Sequence, residues 1–232
     1  MSQAAADPSR YRQAGRSTAA EIDVRAALGA QFDRAQGSTV EKLENFPCHV
    51  PRQALTRFLC LSELFRLALD VQGDIMECGV NWGGGLMTFA QLSAILEPVN
   101  LQRRVVGFDT FSGFAAVDTQ DAHAVVQTAE RRVGGYHADS QADLTEAIRL
   151  FDANRFIGHI PKVELVAGDV AETVPRYLER EPQTVVSLLH LSRFSPGVST
   201  WVWFAFCALS AALFGGILLR QNRQPALSSS FS

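Results

Sequence analysis

Apolar positions along the chain fall into short unbroken runs that alternate with stretches of helical spacing. The runs are Asp74-Ile75-Met76-Glu77-Cys78, Arg104-Val105-Val106-Gly107-Phe108, Lys162-Val163-Glu164-Leu165-Val166 and Thr184-Val185-Val186-Ser187-Leu188-Leu189-His190. Each has the length of one strand. Strands that are apolar on both faces belong to a parallel sheet covered on both sides. Between them the period changes. Leu55, Phe58, Leu59, Leu64 and Phe65 recur at three- and four-residue steps behind Pro51, which suits a first helical position, and Gly73 stops that helix. A second helix is predicted over about Leu86–Leu96, closed by Pro98, and another over about Ala171–Arg180. Ser140-Gln141-Ala142-Asp143 resembles a capping box, with Leu144, Ile148 and Phe151 on one face behind it. Ala19–Ala35 has only weak helical spacing (Ile22, Ala26, Leu28, Phe32). The expected fold class is α/β: a doubly wound parallel sheet with four readable strands.

Organisation follows from the same pattern. Residues 1–37 read as a loose or weakly helical leader, 38–191 as the α/β domain and 192–232 as a tail of different character. Residues 110–140 carry no clear period and make an unusually long connection, the kind that in compact domains serves as a functional loop. His123, Tyr136 and His137 in it are candidates for shaping a second substrate's pocket.

Composition narrows the function classes. A net charge of −3 without any Lys/Arg run excludes a polyanion as the first choice of partner, so no nucleic acid is expected. The four cysteines (Cys48, Cys60, Cys78, Cys207) show no paired spacing, which argues against a thiolate metal site or a disulfide framework and fits a reducing compartment. The N-terminus lacks an apolar signal core, so a cytoplasmic location is expected.

Chemistry concentrates after the first strand, where doubly wound sheets bind ligands. The turn reads Glu77-Cys78-Gly79-Val80-Asn81-Trp82-Gly83, an acid-x-Gly-x-x-x-Gly pattern. Glycines let the backbone bend sharply and let a ligand lie against it. The three residues between Gly79 and Gly83 break the dinucleotide fingerprint, leaving NAD as a minor alternative. A leading carboxylate repels a pyrophosphate but suits the cationic amino-acid end of S-adenosylmethionine (SAM). Asp109, closing the second strand, is placed to accept from both hydroxyls of a ribose, and Gly168-Asp169 after the third strand stands where an adenine edge would lie. Taken singly, each has a plainer reading: a common turn, a turn cap, a salt-bridged acid. Their order on successive strand ends points to SAM.

The runs GDIMECGVNWGGGLMTFAQLS and RVVGFDTFSGF resemble the macrocin-type (TylF) sugar O-methyltransferases, a family of class I SAM-dependent enzymes. VELVAGDVAETVPRYL, VVSLLHL and the helical VEKLENFPCHVPRQALTRFLCLSELF are similar to the same family, and the likeness covers about residues 38–191. The resemblance implies a Rossmann-like class I methyltransferase fold and Mg²⁺-assisted methyl transfer to a hydroxyl of a sugar or similar small metabolite. It places Glu77, Gly79, Gly83, Asp109, Ser112, Gly113, Phe114 and Asp169 at cofactor-contact positions.

The resemblance stops at the fourth strand. The family continues with an Asp-x-Asp-x-Tyr-like segment, in which the first aspartate binds the metal and the second is the base for the acceptor hydroxyl. Such residues are needed because a sugar hydroxyl has a very high pKa. Here Ser192 occupies the metal-ligand position and Phe194 the base position, so no catalytic residue and no metal ligand is assigned, and Mg²⁺ binding and full activity are not expected. His190 could substitute as a base, but a strand-end histidine in an apolar run is more often a hydrogen-bonded core residue.

Beyond residue 191 the chain has three arginines (Arg193, Arg220, Arg223) and no Asp, Glu or Lys. The uncharged run Gly197–Leu219 is long enough to cross a hydrocarbon layer of about 30 Å. Trp201 and Trp203 flank one end, and Arg220 and Arg223 the other, as interfacial anchors do. Two readings compete: an apolar membrane helix over 198–219 on a truncated enzyme, or a lost reading frame near residue 192. The second accounts for both the abrupt loss of acids and the break inside a motif. The first leaves a non-catalytic, membrane-tethered SAM-binding protein as the alternative function. A sheet ending at its fourth strand also exposes an edge, from which self-association is expected.

Overall fold

The computed structural model describes residues 18–113 and 138–192. Four parallel strands form one sheet: β1 (Asp74–Cys78), β2 (Val105–Asp109), β3 (Val163–Ala167) and β4 (Val186–Leu191), in the spatial order β3-β2-β1-β4. The helices are α1 (Ala19–Arg34), α2 (Thr39–Glu44), α3 (Arg52–Ala68), α4 (Gly84–Leu96), α5 (Gln141–Asn154) and α6 (Val170–Arg180). All four predicted strands are present, β1 at its predicted bounds and the other three displaced by one or two residues. The chain steps outward from β1 to β3 and returns to the other side of β1 with β4. That reversal makes the carboxyl ends of β1 and β4 the topological switch point, where open α/β sheets bind ligands.

Alternation along the strands sends side chains to two separate cores. Ile75, Val105 and Val163 meet Leu61 and Phe65 of α3, Leu86, Phe89 and Ala90 of α4, and Leu144 and Phe151 of α5. Met76, Cys78, Val106 and Phe108 face Val170, Val174 and Tyr177 of α6. Burying each large apolar side chain contributes about 1.5–3 kcal/mol, so the double-sided β1, buried at every residue, anchors the sheet. Burial holds the Cys78 thiol near a pKa of about 12, too high for it to act as a nucleophile.

Several expectations need correction. The buried stripe of α3 is Leu61, Phe65 and Ala68, whereas Leu59 and Leu64 are 59% and 41% exposed. The apolar shoulder of that helix is wider than the surface the sheet offers it. Pro51 caps α3 from outside its first turn. The weak helical spacing over Ala19–Ala35 corresponds to α1, which opens on a reciprocal Thr18–Glu21 capping box that the spacing did not announce; residues 1–17 lie outside the described residues. A second capping box, Ser38–Glu41, opens α2. Ser140, by contrast, makes no side-chain cap on α5. An aspartate is a carbon shorter than the glutamate that a capping box uses, and the Ser140 hydroxyl instead donates to the Asn81 carbonyl at 2.5 Å, tying α5 to the glycine turn.

No helix among the described residues is long and apolar enough to cross a membrane. The candidate span 198–219 and the candidates His123, Tyr136 and His137 lie outside the described residues.

Candidate functional site

At the carboxyl end of β1 the backbone turns through three left-handed residues, Gly79 (φ 85°), Asn81 (φ 53°) and Gly83 (φ 80°). Asparagine tolerates this region better than other side chains, and glycine does so freely. The turn is pinned at each step. Gly79 N–H donates to the Phe108 carbonyl at 2.8 Å, and Gly83 N–H to the Val80 carbonyl at 2.9 Å. Asn81 N–H donates to Asp109 Oδ2 at 2.7 Å. A Cβ on Gly83 would come within 2.0 Å of Leu144 Cδ2, so the packing of α5 as well as φ requires glycine there.

Asp109 joins two loops. Its second oxygen, Oδ1, accepts Phe111 N–H at 2.8 Å and so steadies another left-handed residue (φ 54°), whose ring is buried in the core. Each carboxylate oxygen keeps a lone pair beyond these bonds, so a half-buried Asp109 can still receive ligand hydroxyls. Ser112 is exposed and Gly113 (φ 86°) half-buried just beyond it, while Phe114 lies outside the described residues. Across β2, Gly168 N–H donates to the Asp109 carbonyl, and the Asp169 side chain caps α6 by accepting Ala171 N–H at 2.9 Å. The structure thus brings Glu77, Gly79, Gly83, Asp109, Ser112, Gly113 and Asp169 to the carboxyl ends of three adjacent strands.

Glu77 is completely buried. A Cβ on Gly85 would stand 2.2 Å from its Oε1 and 2.9 Å from its Oε2, so the carboxylate lies directly against the first turn of α4. The helix N-terminus favours negative charge there. His190, its register partner on β4, places Nδ1 2.9 Å from Oε1, and Phe89 meets the imidazole edge-on with ring centroids 5.6 Å apart. Oε2 has no hydrogen-bond partner among the described residues. Burial is the largest influence on this carboxyl and pushes its pKa above the usual range; the His190 contact works in the opposite direction. The reading of His190 as a hydrogen-bonded residue therefore agrees with its place in the sheet.

Ser192 remains in the ladder, its N–H donating to the Cys78 carbonyl at 2.9 Å, so the position that the family resemblance gives to a metal ligand sits beside the glycine turn. Phe194 lies outside the described residues. Among the described residues no group of three or more His, Cys, Asp or Glu is placed to hold a metal ion.

Comparison with solved structures decides the class of this site. The chain is similar to the crystal structure of CalS11, calicheamicin methyltransferase, with a TM-score of 0.72 and 36% identity over 76% of this chain and 68% of that one. The apo structure of CalS11, described as TDP-rhamnose 3'-O-methyltransferase, an enzyme in calicheamicin biosynthesis, gives 0.63 and 37% over 77% and 68%. The chain belongs to this class I methyltransferase family. No protein-family profile matches it, and neither does any curated protein. As a SAM-dependent methyltransferase, it presents its glycine turn, Asp109 and Asp169 on the strand ends where a nucleoside ligand of this fold lies.

Sequence reasoning missed four members of this strand-end cluster: His190 as the partner of Glu77, Gly85 beneath that carboxylate, and the backbone roles of Asn81 and its tie to Ser140. Only Gly85 carried a signal, as the third of three consecutive glycines where a turn needs one. The others depend on strand register and on contacts across 59 or 113 positions of sequence.

Proposed function

We propose that this chain is a SAM-dependent O-methyltransferase of the macrocin type, whose acceptor is a hydroxyl on a sugar or a similar small metabolite. The observation that carries the reading is the strand-end constellation of the pinned glycine turn, Asp109 and the unpaired buried oxygen of Glu77, in a chain similar to a TDP-rhamnose 3'-O-methyltransferase. Gly79 and Gly83 would border the methionine portion of SAM. Asp109 would take the ribose hydroxyls, Glu77 the ammonium end, and Asp169 and the Ser112–Gly113 turn the adenine side. Bound SAM supplies a methyl group activated on a sulfonium. Transfer of that methyl to the acceptor oxygen would form a C–O bond as the S–C bond breaks, with S-adenosylhomocysteine as the second product and the hydroxyl proton passing to solvent water. The protein's share is alignment of the two reactants and disposal of the hydroxyl proton.

That last share is where this chain differs from the family pattern. Ser192 and Phe194 supply neither a carboxylate base nor a metal ligand, so turnover is expected to be slow beside a relative that carries aspartates there. The test combines calorimetric titration with SAM and S-adenosylhomocysteine and a mass-spectrometric assay with SAM and TDP-rhamnose. Saturable binding and a slowly formed, singly methylated sugar nucleotide are expected. Absence of binding overturns the cofactor assignment. Binding with methylation confined to non-sugar acceptors overturns the substrate class.

A further inference from the structure

We propose that His190 is a positioning residue for the cofactor's amino-acid end: it grips one oxygen of Glu77 and leaves the other as the acceptor for a ligand ammonium. The inference rests on the SAM reading above and adds a residue to it. Three observations carry it. Glu77 and His190 are register partners on β1 and β4, the two strands that flank the topological switch point. The imidazole is held at both ends of its geometry, with Nδ1 2.9 Å from Glu77 Oε1 and the Phe89 ring edge-on against it. Oε2 is buried and unpaired, and the carboxylate lies against Gly85 with Oε1 the nearer oxygen. The neighbouring Gly84 is exposed and has open space where a Cβ would be.

A carboxylate with both oxygens tied to protein donors would have little left for a ligand. One with neither tied would turn freely against the first turn of α4. The observed arrangement holds the group through the His190 contact, with the Leu86 N–H of α4 also favouring its anion, and keeps Oε2 in reserve. A buried oxygen left unpaired costs free energy that a ligand donor recovers on binding. His190 therefore acts through Glu77 and touches neither the methyl group nor the acceptor.

The experiment is calorimetric titration of the full chain with two probes. S-adenosylhomocysteine carries the amino-acid end; 5'-methylthioadenosine keeps the nucleoside and thioether but lacks it. His190→Leu is expected to weaken S-adenosylhomocysteine about tenfold or more while leaving methylthioadenosine unchanged. His190→Asn, whose amide nitrogen stands near the place of Nδ1, is expected to restore most of that loss, and His190→Gln is not. The Glu77→Gln, His190→Leu double substitution should bind no worse than Glu77→Gln. Equal loss for both probes, or loss for neither, overturns the positioning role. If His190→Leu does not fold, the Asn and Gln variants decide: equal affinity of the two for S-adenosylhomocysteine overturns it. Failure of the unmodified chain to bind either probe overturns the SAM reading itself, and this inference with it.

Discussion

β1 carries a buried charged cluster at each end, and the two are finished differently. At the amino end, Arg103 is 2% exposed, and both its terminal nitrogens are hydrogen-bonded while its Nε has only an ion-pair contact. It donates to the carbonyls of Ala68, Val71 and Gly73 and to the Ser187 hydroxyl, and its Nε lies 2.7 Å from Glu97 Oε1. Arg104 pairs with Asp74 at 3.1 Å and Glu181 at 3.4 Å, and Lys162 donates to the Asn100 carbonyl at 2.7 Å. The carboxyl end holds one fully buried acid, Glu77, whose Oε1 meets His190, whose Oε2 has no hydrogen-bond partner, and whose anion the Leu86 N–H of α4 also favours. Buried polar groups in a structural role are satisfied within the protein, because each orphan costs about 1–3 kcal/mol. Both ends hold a buried atom without a hydrogen bond, but Arg103 Nε faces its counter-charge Glu97 at 2.7 Å, whereas Glu77 Oε2 is idle at the end where open α/β sheets bind ligands. The contrast separates a brace from a site.

Breaking the brace should have the largest effect. Arg103→Met removes the donor that collects the carbonyls at and just after the end of α3, and it takes the cation from Glu97, which keeps only its bonds from Ser93 and Asn100. A loss of about 3–5 kcal/mol in unfolding free energy is expected from urea titration, with S-adenosylhomocysteine affinity preserved in the folded fraction. Arg103→Lys should recover only part, since a point charge cannot reach the same spread of acceptors.

Gly85→Ala tests the site end from its packing side. The added methyl would fall 2.2 Å from Glu77 Oε1, and the expected cost is about 1–3 kcal/mol. Combining it with Glu77→Ala should remove most of that cost, because the clash disappears. Additive losses in the double-mutant cycle would show that the two do not press on each other.

The Glu77 carboxyl gives the comparison a pH axis. Its pKa in the folded chain lies above the ordinary value of 4.5, so the folded state holds its proton more tightly than the unfolded chain does. The stability it confers is complete below pH 4.5 and is lost as pH rises through the raised value. Subtracting the pH profile of Glu77→Gln from that of the unmodified chain should leave this downward slope. A difference that rises with pH would mean that the His190 contact and the α4 N-terminus outweigh burial.

The legibility of the two ends in sequence differs for the same reason. Strand runs, helix spacing, the glycine turn and Asp109 announce themselves locally, because backbone chemistry and solvent exposure act residue by residue. Arg103 does not: nothing in Gln102-Arg103-Arg104 tells a buried brace from a surface charge, and apart from Glu97 the partners named above stand 30 to 84 positions away. His190 was visible as a strand-end histidine, but its partner is fixed only by the parallel register of β4 on β1. The capping boxes Thr18–Glu21 and Ser38–Glu41 were legible as S/T-x-x-E and were passed over, because neither helix they open buries a residue that would draw the eye to it. Ser140 was misread for the opposite reason: a local motif was present, and a longer-range acceptor, Asn81, took the hydroxyl.

Smaller effects sharpen the site end. Asp109→Asn keeps one carbonyl oxygen where two carboxylate oxygens now accept Asn81 and Phe111 N–H, so one loop must be released. A stability loss of about 1–2 kcal/mol is expected by urea titration, together with a fall in S-adenosylhomocysteine affinity.

Asp169→Asn should have the smallest effect on folding and the most specific one on binding. Asparagine caps a helix as well as aspartate does, so the bond from Ala171 N–H survives and stability should change by no more than a few tenths of a kcal/mol. Asp169→Ala, which loses the cap, should cost about 1 kcal/mol. If Asp169 served only α6, both variants would bind S-adenosylhomocysteine like the unmodified chain. If it also meets the adenine edge, asparagine offers a donor and a neutral acceptor where two anionic oxygens stood. Affinity then falls in Asp169→Asn without any matching fall in stability. That separation would place Asp169 in the site rather than in the frame, a distinction that its hydrogen bond to Ala171 cannot make.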